Sequence, residues 1–190
     1  MNHLDARLNQ ILDKITSTEF LEGRGLGNEI AFHIFDYPAE EELHVREHIR
    51  FLLDHIPKKN PSLRVAHMNL FDFVIEHLKE RGLLEKVIAM QREKGDRTVL
   101  AQLEKILHPN KITTAFAARL QPGMHDLALI SGVGSVYPLM RAHSLLNNLH
   151  SLMGQTPLVM FYPGRYTGQS LSLFGRLKSD NYYRAFKLIP

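Results

Sequence analysis

The segment that decides the fold spans residues 126–168 and reads DLALISGVGSVYPLMRAHSLLNNLHSLMGQTPLVMFYPGRYTG. A short apolar run at 127–131 ends in a glycine loop, and an amphipathic helical pattern follows it. A second apolar run at 157–162 then ends at Pro163-Gly164. Two such runs joined through a helix predict a β-α-β unit, because neighbouring parallel strands need a crossover connection.

Three other apolar segments predict further strands, at residues 30–35, 63–68 and 182–189. Together with 127–131 and 157–162 they alternate with helical patterns, which is typical of an α/β fold. We therefore predict a three-layer α/β architecture around a mainly parallel sheet of about five strands. By analogy, this order of elements is similar to a P-loop or Rossmann-like core that has lost its phosphate-binding loop.

The predicted organisation is a single α/β domain over residues 1–190, with an N-terminal helix at 1–16 and a helical insertion at 83–121. The insertion lies between the second and third predicted strands and exceeds the usual length of a crossover. A hydrophobic content of 44% is sufficient for one such domain to bury a core.

The composition excludes several classes of protein. The chain has no cysteine, which rules out disulfides, iron–sulfur clusters, thiolate zinc sites and a cysteine nucleophile. A net charge of +3 over 190 residues is too small for a dedicated nucleic-acid binder. The N-terminal residues lack the pattern of a signal peptide, and no apolar run approaches the roughly 20 residues of a membrane span. We therefore expect a cytoplasmic protein.

The carboxyl ends of the predicted strands are the first place to look for a site, because ligands of parallel sheets bind there. These ends supply a carboxylate, an amide, hydroxyl groups, a guanidinium group and two flexible glycines. The candidate ligand-binding residues are Asp36, Asn69, Ser131, Gly132, Gly134, Arg165 and Thr167. Such a set favours a small polar or anionic ligand.

The same edge lacks the residues that common active sites require. No lysine stands in a glycine loop, only Asp36 supplies a carboxylate, and Ser131 lacks the G-x-S-x-G pattern. A pairing of Ser131 or Ser135 with His143 carries little weight, because 11 histidines make such pairs common by chance. We predict no catalytic residue, no metal ligand and no cofactor.

Five segments of the chain carry a recognisable pattern. They are GRGLGNE at 23–29, IFDYPAEEEL at 34–43, SGVGSVYPLMRAHSLLNNL at 131–149, PLVMFYPGRYTGQSLSLFGRL at 157–177 and NYYRAFKLIP at 181–190. In order and spacing, over the length of the chain, they resemble the BrxB family of bacterial BREX phage-defence systems.

The resemblance implies a small, non-enzymatic component of a multi-protein assembly that restricts phage and supports methylation of host DNA. It implies direct binding to PglZ, the alkaline-phosphatase-like component, with the methyltransferase and the large ATPase as possible further partners. DNA would be contacted indirectly or weakly. Candidate partner-binding residues are Arg24, Arg165 and Tyr166, on a surface that combines the N-terminal helix, the insertion and an exposed loop at 165–169.

A second class of function stays open at this point. The chain is alternatively a small-ligand or nucleotide-binding α/β protein, weakly enzymatic, that uses the carboxyl edge of its sheet. In that case Asp36, Ser131, Arg165 and Thr167 would be the working groups.

Overall fold

The computed structural model describes residues 3–23, 32–149, 152–179 and 185–190. The helices among these residues are α1 His3–Ile15, α2 Thr18–Leu21, α3 Glu42–Lys59, α4 Leu70–Glu80, α5 Leu84–Lys94, α6 Asp96–Ile106, α7 Pro109–Leu120, α8 Val133–Val136 and α9 Ala142–Leu149. The strands are β1 Phe32–Tyr37, β2 Val65–Asn69, β3 Leu127–Ser131, β4 Leu158–Tyr166, β5 Leu171–Leu173, β6 Leu177–Ser179 and β7 Phe186–Lys187. Short 3₁₀ turns occupy Ala39–Glu41 and Pro122–Met124.

The central sheet is mainly parallel, which confirms the predicted fold class. Its strand order is β2-β3-β4-β1-β7, and all four neighbouring pairs in this path are parallel. The antiparallel strands β5 and β6 extend the sheet from the far end of β4. β3 and β4 are direct neighbours in register Ala128↔Leu158, so the segment 126–168 forms the predicted β-α-β unit.

Helices α1 and α3 cover one face of the sheet. Apolar residues recur three or four positions apart in both helices, so each presents one continuous stripe to the sheet. The buried residues of these stripes are Leu4, Leu8, Ile11, Ile15, Val45, Ile49, Leu52 and Ile56. They pack against alternate strand residues, including Phe35, Leu129, Val159 and Phe161, in one hydrophobic cluster.

The opposite face is covered by the helices that follow β2 and β3. The alternate strand residues Ile34, Ala128, Ile130 and Met160 point to this side, as the two-residue period of a strand requires. Helices α4, α6, α7 and α9 bury their apolar stripes against them. Helix α5 has no buried residue. Among the described residues, no helix combines the length and the apolar character that crossing a membrane requires.

Two predicted strand ends are wrong. β1 continues to Tyr37, so Asp36 lies inside a strand and is buried. β4 continues through Pro163-Gly164 to Tyr166, where we predicted a turn and an exposed loop at 165–169. The reason is a ladder with the short strand β5, which pairs Gly164 with Leu173 and Tyr166 with Leu171.

The helix predicted after β3 is also divided. α8 ends at Val136, the Tyr137–Pro138 peptide bond is cis, and the longer helix α9 begins at Ala142. Ser135 therefore lies within α8, and Pro138 lies in a turn between the two helices.

Some predictions fall on residues that lie outside the described ranges. These include the candidate partner residue Arg24 and the first part of the predicted last strand at 182–184. The described part of that strand, β7, pairs with β1 and lies at one end of the strand order.

The stability of the fold should fall under mildly acidic conditions. Burial lowers the pKa of His48, His67 and His77 below the ordinary value of 6.5. The unfolded chain therefore binds more protons, so stability that is complete above pH 6.5 is lost as the pH falls through 6.5 towards the folded pKa values. We expect urea denaturation to give a lower free energy of unfolding at pH 5.5 than at pH 7.5.

The substitution His48→Gln should reduce this loss, because it removes one of the three groups. The lowered carboxylate pKa of Asp126, about 2, lies far below the interval and does not contribute within it. A free energy of unfolding that is equal or higher at pH 5.5 would contradict the prediction.

Candidate functional site

The carboxyl edge of the sheet brings the predicted ligand residues together in two separate groups. Asn69 and Ser131 are register partners at the ends of β2 and β3. Asp36 lies near the end of β1, next to the extension of β4 that carries Arg165 and Tyr166 and that Thr167 follows.

Asp36 is the centre of the second group. Its residue is 8% exposed, and both of its carboxylate oxygens accept hydrogen bonds. Arg7 Nη2 donates to Oδ1 at 2.9 Å, and the backbone N–H of Tyr166 donates to Oδ2 at 2.9 Å. Because these bonds occupy the carboxylate, a ligand would have to displace Arg7 or Tyr166 to reach it.

Arg7 was not predicted as a site residue, although it connects distant parts of the chain. Its guanidinium group donates to the carbonyl oxygen of Asp36 at 2.8 Å and to that of Ile189 at 3.0 Å. It also lies 4.7 Å from the centroid of the Phe35 ring. The available signal was its position on α1, three residues after Leu4 on the apolar face.

The first group contains a histidine that we did not predict. His67 Nε2 lies 2.9 Å from Ser131 Oγ, so the serine–histidine pair at this edge uses His67. The side chain of His143 is outside the described set. Partial burial lowers the pKa of His67, which keeps the ring neutral at pH 7. Ser131 is only 5% exposed, which makes this pair a structural contact between β2 and β3.

Asn69 and Gly132 complete the first group through local backbone bonds. Asn69 Oδ1 accepts from the N–H groups of Phe71 and Asp72 at 2.9 and 3.3 Å, and so caps α4. Gly132 has a φ of +74°, and a Cβ there would lie 2.2 Å from Asn69 Oδ1. Both residues are therefore used by the turn that ends β3.

A polar network closes the loop after β1. Glu42 accepts from Tyr37 Oη at 2.7 Å and from Arg46 Nε at 2.8 Å. Arg46 also donates to Ser135 Oγ on α8 at 2.7 Å. Burial and the Glu42 bond raise the pKa of Tyr37. In nucleotide-binding α/β folds this loop holds phosphate, but here Glu40, Glu41 and Glu42 would repel it.

The extension of β4 separates three candidates that the sequence placed in one loop. Tyr166 is fully buried, and its hydroxyl donates to Ala185 O at 2.6 Å, so it is not available to a partner. Thr167 Oγ1 accepts from the N–H of Ser170 at 3.1 Å and stabilises the turn before β5. Arg165 is exposed on the strand. Unlike Tyr166 and Thr167, it has no side-chain hydrogen bond among the described residues, so its side chain is accessible to a partner.

Exposed apolar side chains lie beside this extension. A groove of about 420 Å³, the hairpin groove, is lined by Ala39, Glu40, Phe174, Arg176 and Leu177. Phe174 is 37% exposed and Leu177 is 41% exposed. The close fit of Gly134 against Phe174 and Pro163 holds the hairpin on α8, since a Cβ there would lie 3.0 Å from both.

A second concave surface lies at the opposite, amino edge of the sheet. This amino-edge cleft has a volume of about 810 Å³ and is formed by the segments that precede β2, β3 and β4. Arg64 and Asp126 form an ion pair in it at 2.7 Å, and the exposed Leu152 lies at its border. The polar residues here follow helices along the chain, so they carry no strand-end signal in the sequence.

Comparison with known proteins gives full-length similarity. A family model described as "BREX protein BrxB" matches residues 66–188. A BREX protein BrxB of Bacillus cereus (strain H3081.97) is 43% identical over 193 residues, covering 100% of this chain and 99% of the relative. A BREX protein BrxB of Escherichia coli O9:H4 (strain HS) is 43% identical over 187 residues, covering 98% of this chain and 92% of the relative. No solved structure matches the chain.

Replacing Asp36 should destabilise the fold strongly. Asp36→Ala leaves the buried guanidinium group of Arg7 without its compensating carboxylate and the N–H of Tyr166 without its acceptor, which should cost about 3–5 kcal/mol of unfolding free energy. The control Asp13→Ala removes an exposed ion pair with Lys59 and should cost less than about 1 kcal/mol. Urea denaturation measures both, and equal losses would contradict a structural role for Asp36.

Two glycines that both have a positive φ provide a comparison. Gly132 and Gly82 have φ values of +74° and +62°, but a Cβ at Gly82 would meet nothing within 4 Å. Gly82→Ala should cost about 1 kcal/mol from backbone strain. Gly132→Ala should cost a further 1–3 kcal/mol or so, because the new methyl group collides with Asn69. The difference between their denaturation curves checks this, and equal losses would argue against the collision.

Proposed function

The chain belongs to the BrxB family of BREX proteins, and on that premise we propose that it is a non-enzymatic interaction component of a BREX phage-defence complex. The observation that carries the proposal is the 43% identity that extends over 100% of the chain and 99% of a BREX protein BrxB. The similarity extends over the whole chain and is not confined to one segment.

We further infer that the direct partner is the PglZ-like protein of the same system. The large ATPase and the methyltransferase are further partners in this proposal, which supports phage restriction and methylation of host DNA. In this proposal the chain contacts DNA only indirectly or weakly, because a net charge of +3 provides little attraction for the phosphates of DNA.

The absence of enzymatic activity is also a proposal. It is supported by the internal use of the polar groups at the carboxyl edge. Asp36 is bonded to Arg7, Ser131 to His67, and Thr167 to its own turn. The alternative, a small-ligand or nucleotide-binding protein, would require these bonds to open and a phosphate to approach three glutamates.

The hairpin groove is the surface that we assign to the PglZ-like partner. Aromatic and arginine side chains dominate the binding energy of many interfaces, and this surface presents Phe174 and Arg176. Arg165 lies on the neighbouring strand, opposite Ser172. The two arginines favour acidic residues on the partner, while Glu40 favours a basic one, around an apolar centre.

Co-purification tests the proposed function. Tagged protein expressed with its PglZ-like partner should retain that partner through affinity and size-exclusion chromatography. If the partner is never retained while both proteins are soluble, the proposal fails.

The double variant Phe174→Ser/Leu177→Ser tests the surface separately. It should weaken retention by about tenfold or more, because it removes the apolar centre of the groove. The control Met124→Ser changes a side chain that is 61% exposed, on the segment before β3 at the amino edge, and should bind like the unchanged chain. Equal retention of the two variants would place the partner elsewhere.

A further inference from the structure

Strand β2 is an edge of the sheet. It pairs with β3 and with no other described strand. His67, at its centre, is the most exposed residue of the strand although its ring contacts Ser131, and the other four residues are half-buried. One side of this strand therefore carries main-chain groups that the sheet does not use.

The ladder shows which groups these are. The N–H of Leu127 donates to the carbonyl oxygen of Arg64 at 3.3 Å, while Val65 is the register partner of Leu127. Main-chain groups alternate in direction along a parallel strand, so Ala66 and Met68 also bond to β3. The groups of Val65 and His67 point outward, and within the described ranges no backbone hydrogen bond reaches them.

This edge lacks the devices that keep sheet edges apart. Its sequence, VAHMN, contains no charged residue and no proline. At the other end of the strand order, β7 is two residues long and contains Lys187. An extended chain can pair with the outward donors and acceptors of β2 in place of water, because they repeat every second residue.

We propose that a second copy of this chain pairs with this edge, β2 against β2 in antiparallel orientation, around a twofold axis at His67. In this register His67 faces its own counterpart and Val65 faces the counterpart of Asn69. Such an interface is self-complementary, as twofold symmetry requires, and every outward N–H of Val65 and His67 meets an acceptor.

The charges and apolar groups around the strand favour a second copy as the occupant. β2 contains no charged residue that would face its own counterpart across the twofold axis. The neighbouring Arg64 is already bonded to Asp126 at 2.7 Å. Partial burial lowers the pKa of His67, so two neutral rings face each other at pH 7. Phe71, which is 38% exposed just after β2, adds an apolar contact at each end.

The association should be weak and reversible. Five paired residues bury less than the roughly 1,200–2,000 Å² of stable interfaces. The proposal is independent of the PglZ-like partner, so either can fail without the other.

A single introduced cysteine tests the pairing directly, because the chain has none of its own. Cα atoms of opposed residues in a hydrogen-bonded antiparallel pair lie about 5.5 Å apart, within the range that a disulfide spans. Under mild oxidation, H67C should form a disulfide-linked dimer. The control R97C, on the exposed first turn of α6, reports random collisions. Equal cross-linking of the two variants would overturn the proposal.

A charge exchange at the same position tests symmetry. H67K and H67E each place like charges opposite one another and should weaken self-association about fivefold, whereas their mixture should restore it. Sedimentation over a concentration series measures this, and thermal melts establish that both variants are folded. A different result would overturn the proposal: H67K no longer retains the PglZ-like partner, and the unchanged chain is monomeric. In that case a strand of another protein occupies the edge of β2.

Discussion

The buried ion pair between Arg7 and Asp36 is the constraint on which the arrangement of the sheet depends. Asp36 receives Arg7 from α1 and the backbone N–H of Tyr166 from β4, while Arg7 reaches Ile189 near the end of the chain. Removing one partner of a buried pair leaves an uncompensated charge, so these four regions are held as a unit. The pair therefore fixes where the β4 extension and its hairpin lie.

The same pair has a consequence for function. It occupies the carboxylate of Asp36, the candidate carboxylate at the carboxyl edge. The hydroxyl group of Ser131 is bonded to His67, and that of Thr167 is bonded within the turn after β4. Among the described residues, the surfaces open to other molecules include the hairpin groove, the amino-edge cleft and the edge of β2. This internal use of polar groups supports the proposal that the chain contributes binding to an assembly.

The layers and most elements were predictable because they depend on local periodicity. β3 was predicted at its observed bounds, 127–131, since a strand buried on both faces reads as a continuous apolar run. The extension of β4 was not predictable, because Pro163-Gly164 is a turn signal wherever no partner strand is present. The turn through Pro138 divided a helix whose apolar pattern continues across it.

The sequence by itself determined the α/β class, the helix faces, the cap of α4 by Asn69 and membership of a family, because these depend on residue type and spacing along the chain. Only the tertiary structure decided the strand order, the buried position of Tyr166, the pairing of His67 with Ser131 and the joining of Arg7 to Asp36. The physical reason is distance along the chain: Arg7 and Ile189 are 182 residues apart, and no local pattern encodes such a contact. The availability of a polar side chain for function is decided at that level, by which neighbours it meets after folding.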